Sequence, residues 1–139
     1  MKKTAIIDSG FLYATLDKGD IHHSRVIQVL KTFGDKILLP VPVLVETGYL
    51  IHARLGHPTM RLFVKQMQRG PLRLVSVQKS DFSRIHELLT QYADLELDLV
   101  DTSVTALAER LNIQRILTVD QRDFRTIRPN HCSYFEILP

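Results

Sequence analysis

One cysteine stands in the whole chain, Cys132, so no internal disulfide can form and no thiolate cluster can hold a metal. A reducing, cytoplasmic setting is the expectation for such a chain. No apolar run approaches the roughly 20 residues of a membrane span. Met1-Lys2-Lys3 leads into no long apolar segment of the signal-peptide kind. No membrane partner is expected. Gly-x-Gly-x-x-Gly and Gly-x-x-x-x-Gly-Lys-Ser/Thr are both missing, so dinucleotide and P-loop readings have no support. Repeats, low-complexity tracts and long linkers are missing too, and the 139 residues read as a single domain over 1–139.

What is present is ordinary for a globular protein: 45% hydrophobic and 24% charged residues. The net charge of +3 and pI near 9.2 are a mild basic excess that says little about partners. Its placement says more. Cations gather at Arg54, Arg61, Lys65, Arg69 and Arg73, and again at Arg110, Arg115, Arg122, Arg125 and Arg128. Arg61, Lys65 and Arg69 are four apart and line one face of an expected helix. A solvated helix face competes with a nucleic-acid track as the explanation.

Short strand-like runs alternate with helical patterns. Strands are expected at 3–8, 37–39, 72–77, 116–119 and 134–138. Helices are expected at 11–16, 20–33, from Pro42 to a stop at Gly56, at 58–69, at 80–92 under a Ser80 cap, and at 98–112. Strands separated by helices imply parallel pairing through right-handed crossovers, hence a three-layer α/β/α sandwich. Such sheets bind ligands outside the carboxyl ends of their strands. Asp8 and Asp120 each follow an apolar strand, which puts two carboxylates on one rim.

Each acid also has an innocent reading. Asp8 can cap the helix after it, Asp98 and Asp101 fit a helix start, and Asp120 opens a polar turn through Asp123. Glu46 resists this treatment. It lies three after Val43 and four before Leu50 in an otherwise apolar helix, and a buried carboxylate needs a partner. Gly48 in that helix suggests that another group approaches the backbone closely. Converging carboxylates raise one another's pKa unless a cation joins them. Mg²⁺ or Mn²⁺ suits such a set, taking one or two carboxylates and leaving room for water and phosphate. No catalytic His or Cys is then needed.

These segments carry a family resemblance. Ile6-Ile7-Asp8-Ser9-Gly10-Phe11-Leu12 resembles the opening of PIN domains, and residues 42–50 resemble their glutamate helix. Residues 99–108 resemble the helix with their third acid, and 118–124 their fourth motif. The resemblance implies a five-stranded parallel sheet, and Mg²⁺- or Mn²⁺-dependent RNA hydrolysis by Asp8, Glu46, Asp101 and Asp120. Asp98 and Asp123 rank second as ligands, since capping explains one and a solvent-facing turn the other. Arg54, Arg61, Lys65, Arg69, Arg122 and Arg125 are the expected RNA contacts. Asp20-Ile21-His22-His23 also recurs in PIN proteins resembling VapC-type toxins, with no chemistry assigned. That likeness makes a VapB-like antitoxin and a homodimer expected partners.

Other readings are weaker. A haloacid-dehalogenase-like phosphatase wants a second Asp where Gly10 stands. A non-catalytic RNA-binding relative would have lost acids, and all four are present. A stand-alone RNA-processing nuclease differs from a toxin only in having no antitoxin. His22-His23 cannot share a helical face, His52 and His57 straddle a helix end, and Cys132 has no activating neighbour in sequence.

Overall fold

The computed structural model describes residues 4–33 and 36–139; Lys3, the first residue of the expected opening strand, lies outside them. The five strands are β1 (Thr4–Ile7), β2 (Lys36–Pro40), β3 (Leu72–Val75), β4 (Arg115–Leu117) and β5 (Glu136–Leu138). They pair in the order β3-β2-β1-β4-β5, every pair parallel. The expected parallel sheet is therefore the one observed. β1 lies at its centre, and Ala5, Ile6 and Ile7 are buried, which is why that strand reads as a continuous apolar run.

Chain direction divides the helices between two faces. α1 (Ser9–Leu16) and α2 (His23–Thr32) carry the chain from β1 to β2, and α3 (Val41–Leu55) and α4 (His57–Met67) carry it on to β3. α5 (Asp81–Gln91) and α6 (Leu99–Leu111) return it across the sheet to β4, and α7 (Gln121–Thr126) leads to β5. Right-handed crossovers stepping in opposite directions place α1–α4 on one face and α5–α7 on the other. α6 is buried from Thr102 through Ala108. Its small side chains permit close packing, and Thr102 and Thr105 satisfy their hydroxyls on the carbonyls of Asp98 and Asp101, each at 3.0 Å.

Polar side chains set several boundaries that periodicity did not. The second helix begins at His23 rather than Asp20, because Asp17 and Asp20 accept the backbone N–H groups of Gly19 and His22 at 2.9 and 2.8 Å and hold turns there. The His23 ring meets the Ala14 carbonyl at 2.7 Å, so the segment 20–23 is a joint between α1 and α2. Ser80 does not cap α5 with its side chain. Asp81 acts instead, accepting the Gln78 N–H at 2.8 Å and pairing with Arg110 at 3.0 Å. The polar stretch at 120–123, expected as a turn, opens α7, a short helix fixed by the burial of Phe124 and Ile127. Among the described residues no helix is long and apolar enough to cross a membrane.

Candidate active site

β1 and β4 are neighbours, yet the chain leaves β1 toward β2 and leaves β4 toward β5, on opposite sides. Their carboxyl ends bound the crevice of a topological switch point, where open parallel sheets receive ligands. Asp8 follows β1 directly, and Thr118, Val119 and Asp120 follow β4. The Asp8 N–H donates to the Leu117 carbonyl at 2.8 Å, which holds the two strand ends together. Gly10 is required here: a Cβ on it would lie 2.8 Å from Cγ2 of Val119. The first turn of α1 is thus pressed against the end of β4.

Asp8 occupies the N-cap position of α1, but its side chain makes no cap hydrogen bond. It is buried, and the Thr118 hydroxyl donates to its Oδ2 at 3.0 Å. Burial raises its pKa from 3.8 to about 6; hydrogen bonds from the Ser9 backbone and Thr118 oppose this, and the charges of Glu46 and Asp98 add to it. Asp101, half-buried in the first turn of α6, is pushed further, to about 8. Burial is again the main cause, followed by the charges of Asp8, Asp98, Asp123 and Asp120.

These mutual effects show which acids the fold gathers. The charges of Glu46 and Asp98 bear on Asp8, and those of Asp8, Asp98, Asp123 and Asp120 bear on Asp101. Asp98 caps α6 by accepting the Asp101 N–H at 2.8 Å, so it both caps and charges the crevice. Asp123 lies half-buried on α7, not on the solvent-facing turn expected of it. Glu46 sits half-buried at the margin of a stripe formed by Val43, Thr47 and Ile51. Gly48 overturns one expectation: nothing lies within 4 Å of where its Cβ would be. It lies on a flank of α3 that faces open space.

Two features escaped the sequence. Thr118 is a hydroxyl near a strand-end Asp, and only the pairing of β4 with β1 aims it at Asp8. The Ser9 hydroxyl is buried beside Asp8 with no hydrogen-bond partner among the described residues, as is that of Thr47 beside Glu46. Nothing in sequence marks either as unpaired.

The donor set suits a hard divalent cation. Its oxygens are carboxylate and hydroxyl, its charges are uncompensated, and an unpaired buried hydroxyl adjoins its most buried acid. Among the described residues no three or more His, Cys, Asp or Glu side chains stand close enough together to hold a metal ion between them. Carboxylates without a counterion repel one another, and Mg²⁺-like ions keep most of their shell for water and phosphate.

The cations are distributed differently. Arg54 lies 5.0 Å over the ring of Tyr13, whose hydroxyl donates to Asp17 at 2.6 Å. Its side chain is committed to α1. Arg61 meets Nδ1 of His57 at 3.1 Å, and Lys65 and Arg69 line a shallow cavity of about 490 Å³. Arg122 and Arg125 are exposed on α7 beside Asp120 and Asp123.

Fold and crevice together define a parallel α/β protein with an all-oxygen acidic site at its switch point. The profile of the PIN domain matches residues 5–128, and the chain belongs to the PIN domain family. It is 25% identical over 134 residues to ribonuclease VapC26 of Mycobacterium tuberculosis, covering 96% of this chain and 99% of that one. The crystal structure of VapC20 from the same organism, a sarcin–ricin-loop-cleaving toxin, superposes with a TM-score of 0.78 at 20% identity, over 84% of this chain and 90% of its own. A toxin–antitoxin complex from Klebsiella pneumoniae gives a TM-score of 0.65 at 17% identity, over 88% and 92%.

Proposed function

We propose that the chain is a metal-dependent endoribonuclease that hydrolyses RNA phosphodiesters, and the toxin of a toxin–antitoxin pair acting in the cytoplasm. The observation that carries this reading is the pair Asp8 and Asp101. They are buried or half-buried acids at a switch-point crevice, and the charge of Asp8 bears on Asp101. Such a pair is stable in the ionised form only when a positive ion joins it. Asp8, Glu46, Asp101 and Asp120 would hold Mg²⁺ or Mn²⁺, with Asp98 and Asp123 acting through water. When bound, the ion supplies a lowered water pKa and neutralises phosphate oxygens.

The rest falls to side chains. Thr118 orients the Asp8 carboxylate, and Asp98 fixes the first turn of α6 that presents Asp101. Arg122 and Arg125 stand where an RNA strand entering beside Asp120 would meet them. The likeness to ribonuclease VapC26 supports RNA as substrate, and the complex from Klebsiella pneumoniae supports an antitoxin partner. An arginine of that partner could enter the crevice and pair with its acids by a two-pronged contact.

The test is purified protein incubated with total RNA and Mn²⁺, Mg²⁺ or chelator, with sequencing of the new ends. Cleavage that needs the ion and disappears in folded Asp101→Asn is expected. A folded wild type that leaves all RNA intact with either ion would end the nuclease reading. Growth arrest on expression, relieved by the neighbouring gene and absent in Asp8→Asn, is expected of a toxin. Harmless expression of an active nuclease would instead make it a stand-alone processing enzyme.

A further inference from the structure

The charge of this chain is divided along its length. Between Glu46 and Asp81 there is no Asp or Glu, yet six of the 18 Lys and Arg residues fall there; the remaining twelve share the rest of the chain with all 15 acids. In the fold this acid-free segment is most of α3, all of α4 and the edge strand β3.

Elsewhere the cations on α5, α6 and β4 are paired. Arg84 meets Glu109 at 2.7 Å, and Arg110–Asp81 and Arg115–Glu136 each close at 3.0 Å. Within the acid-free segment no Lys or Arg forms an ion pair among the described residues. Arg61 and Lys65 are exposed one turn apart on α4, and Arg69 is exposed in the turn just past its end. Lys65 and Arg69 share their cavity with the amides of Gln66 and Gln68. A solvated face that merely keeps a protein soluble commonly mixes both signs; this one holds a single sign and adds amide donors.

Its position sets it apart from the crevice. Leu55, the last residue of α3, lies nine residues beyond Glu46, about 14 Å along the axis. Beyond Arg69 the chain enters β3 at Leu72, which pairs with Ile37 near the start of β2, whereas the acidic rim lies past Pro40 at its end. Both ends of α4 are tied to parts of the chain remote from the acids.

We propose that α4 and the start of β3 form a second RNA-binding surface, which grips the phosphates of a folded RNA while another part of it reaches the acidic crevice. This rests on the nuclease reading only for what happens in the crevice. The acids of the crevice repel a phosphate chain, and a row of cations set apart from them adds attraction beyond that of Arg122 and Arg125. Cations and amide donors match phosphate; Leu62, Val64 and Leu74 are exposed on the same elements, but the unbroken single sign of charge along them favours a polyanion.

The test uses the Asp8→Asn chain, so that RNA stays intact, and anisotropy of a fluorescent RNA hairpin across a salt series. Changing Arg61, Lys65 and Arg69 together to Gln should flatten the log–log salt slope by about two to three, nearly one for each phosphate no longer neutralised. Gln is a good helix former at these exposed sites, and circular dichroism would verify the helix. The triple change Lys18→Gln, Arg25→Gln, Lys31→Gln removes the same charge elsewhere and should leave the slope unchanged. Equal flattening by both sets would overturn the proposal, because net charge alone would then explain binding. Polyglutamate displacing the hairpin at lower concentration than unlabelled RNA would also overturn it, in favour of an acidic protein partner. A slope difference that persists in a chain shown separately not to cut RNA would support this surface while sinking the nuclease reading.

Discussion

Thr118 donates its hydroxyl to Asp8 at 3.0 Å across a separation of 110 residues, from the end of β4 to the end of β1. The same hydroxyl lies 3.2 Å from the Asp120 carbonyl, so one buried side chain touches both strand-end segments of the crevice. A hydrogen bond to a charged acceptor is worth about 1.5–3 kcal/mol. Thr118→Val keeps the shape and removes the donor. It should lower RNA cleavage near neutral pH by roughly 10- to 100-fold, the same energy expressed as rate. The acid limb of the pH–rate profile should move to higher pH, and Thr118→Ser should restore both. An unmoved profile in a folded Thr118→Val chain would show that Thr118 has no hold on Asp8.

Replacing Asp8 or Asp101 with Asn separates chemistry from folding. Asn is about as good as Asp at a helix start, so a capping role predicts retained cleavage. Loss of a charge needed in the crevice predicts collapse by about 10²- to 10³-fold, the order seen when one member of a charge-stabilising site is removed. Single-turnover cleavage beside a thermal melt distinguishes the two.

Acid–base linkage gives a stability prediction with a definite sign. Asp8 and Asp101 have folded pKa values of about 6 and 8 against an ordinary 3.8. Between those limits the folded chain binds more protons than the unfolded one, so stability falls as pH rises. Metal-free protein should therefore melt lower at pH 8.5 than at pH 5. Asp101→Asn should flatten that fall, and millimolar Mn²⁺ should restore stability most at the alkaline end. Melting that is equal or higher at pH 8.5 without metal would contradict the burial of these charges.

Gly10→Ala would place a Cβ 2.8 Å from Cγ2 of Val119. Overpacking of that kind commonly costs about 1–3 kcal/mol. The double change Gly10→Ala, Val119→Ala should recover part of it, since the clash is with that one methyl. Urea unfolding of the single and double variants measures the coupling, and strict additivity would exclude the contact.

Gly48→Ala should do the opposite. No atom stands within 4 Å of the added methyl, and Gly in a helix interior is about 1 kcal/mol worse than Ala. The variant should gain roughly that much in urea unfolding. A loss, together with a change in oligomeric state by light scattering, would mean that a second chain packs on this flank.

The sequence alone determined the layered parallel sheet, because burying β1 on both faces demands an unbroken apolar run and the helices between strands demand crossovers. It also marked Glu46 as out of place, since an acid beside an apolar helix face is costly without a partner, while Asp8, Asp101 and Asp120 each had an ordinary reading and stood out only together, through the likeness to PIN domains. It could not say how these acids act on one another. Whether Asp8 caps a helix or faces a crevice depends on Thr118, and that pairing exists only once β4 lies against β1. The polar run 120–123 became the start of a helix because Phe124 and Ile127 found a core to enter, and Asp123 came with it toward Asp101. The cations were legible one by one. Their separation from the acids was decided by the register of β3 on β2 and by the length of α3, because local periodicity fixes which face a side chain occupies but not which end of the sheet that face adjoins.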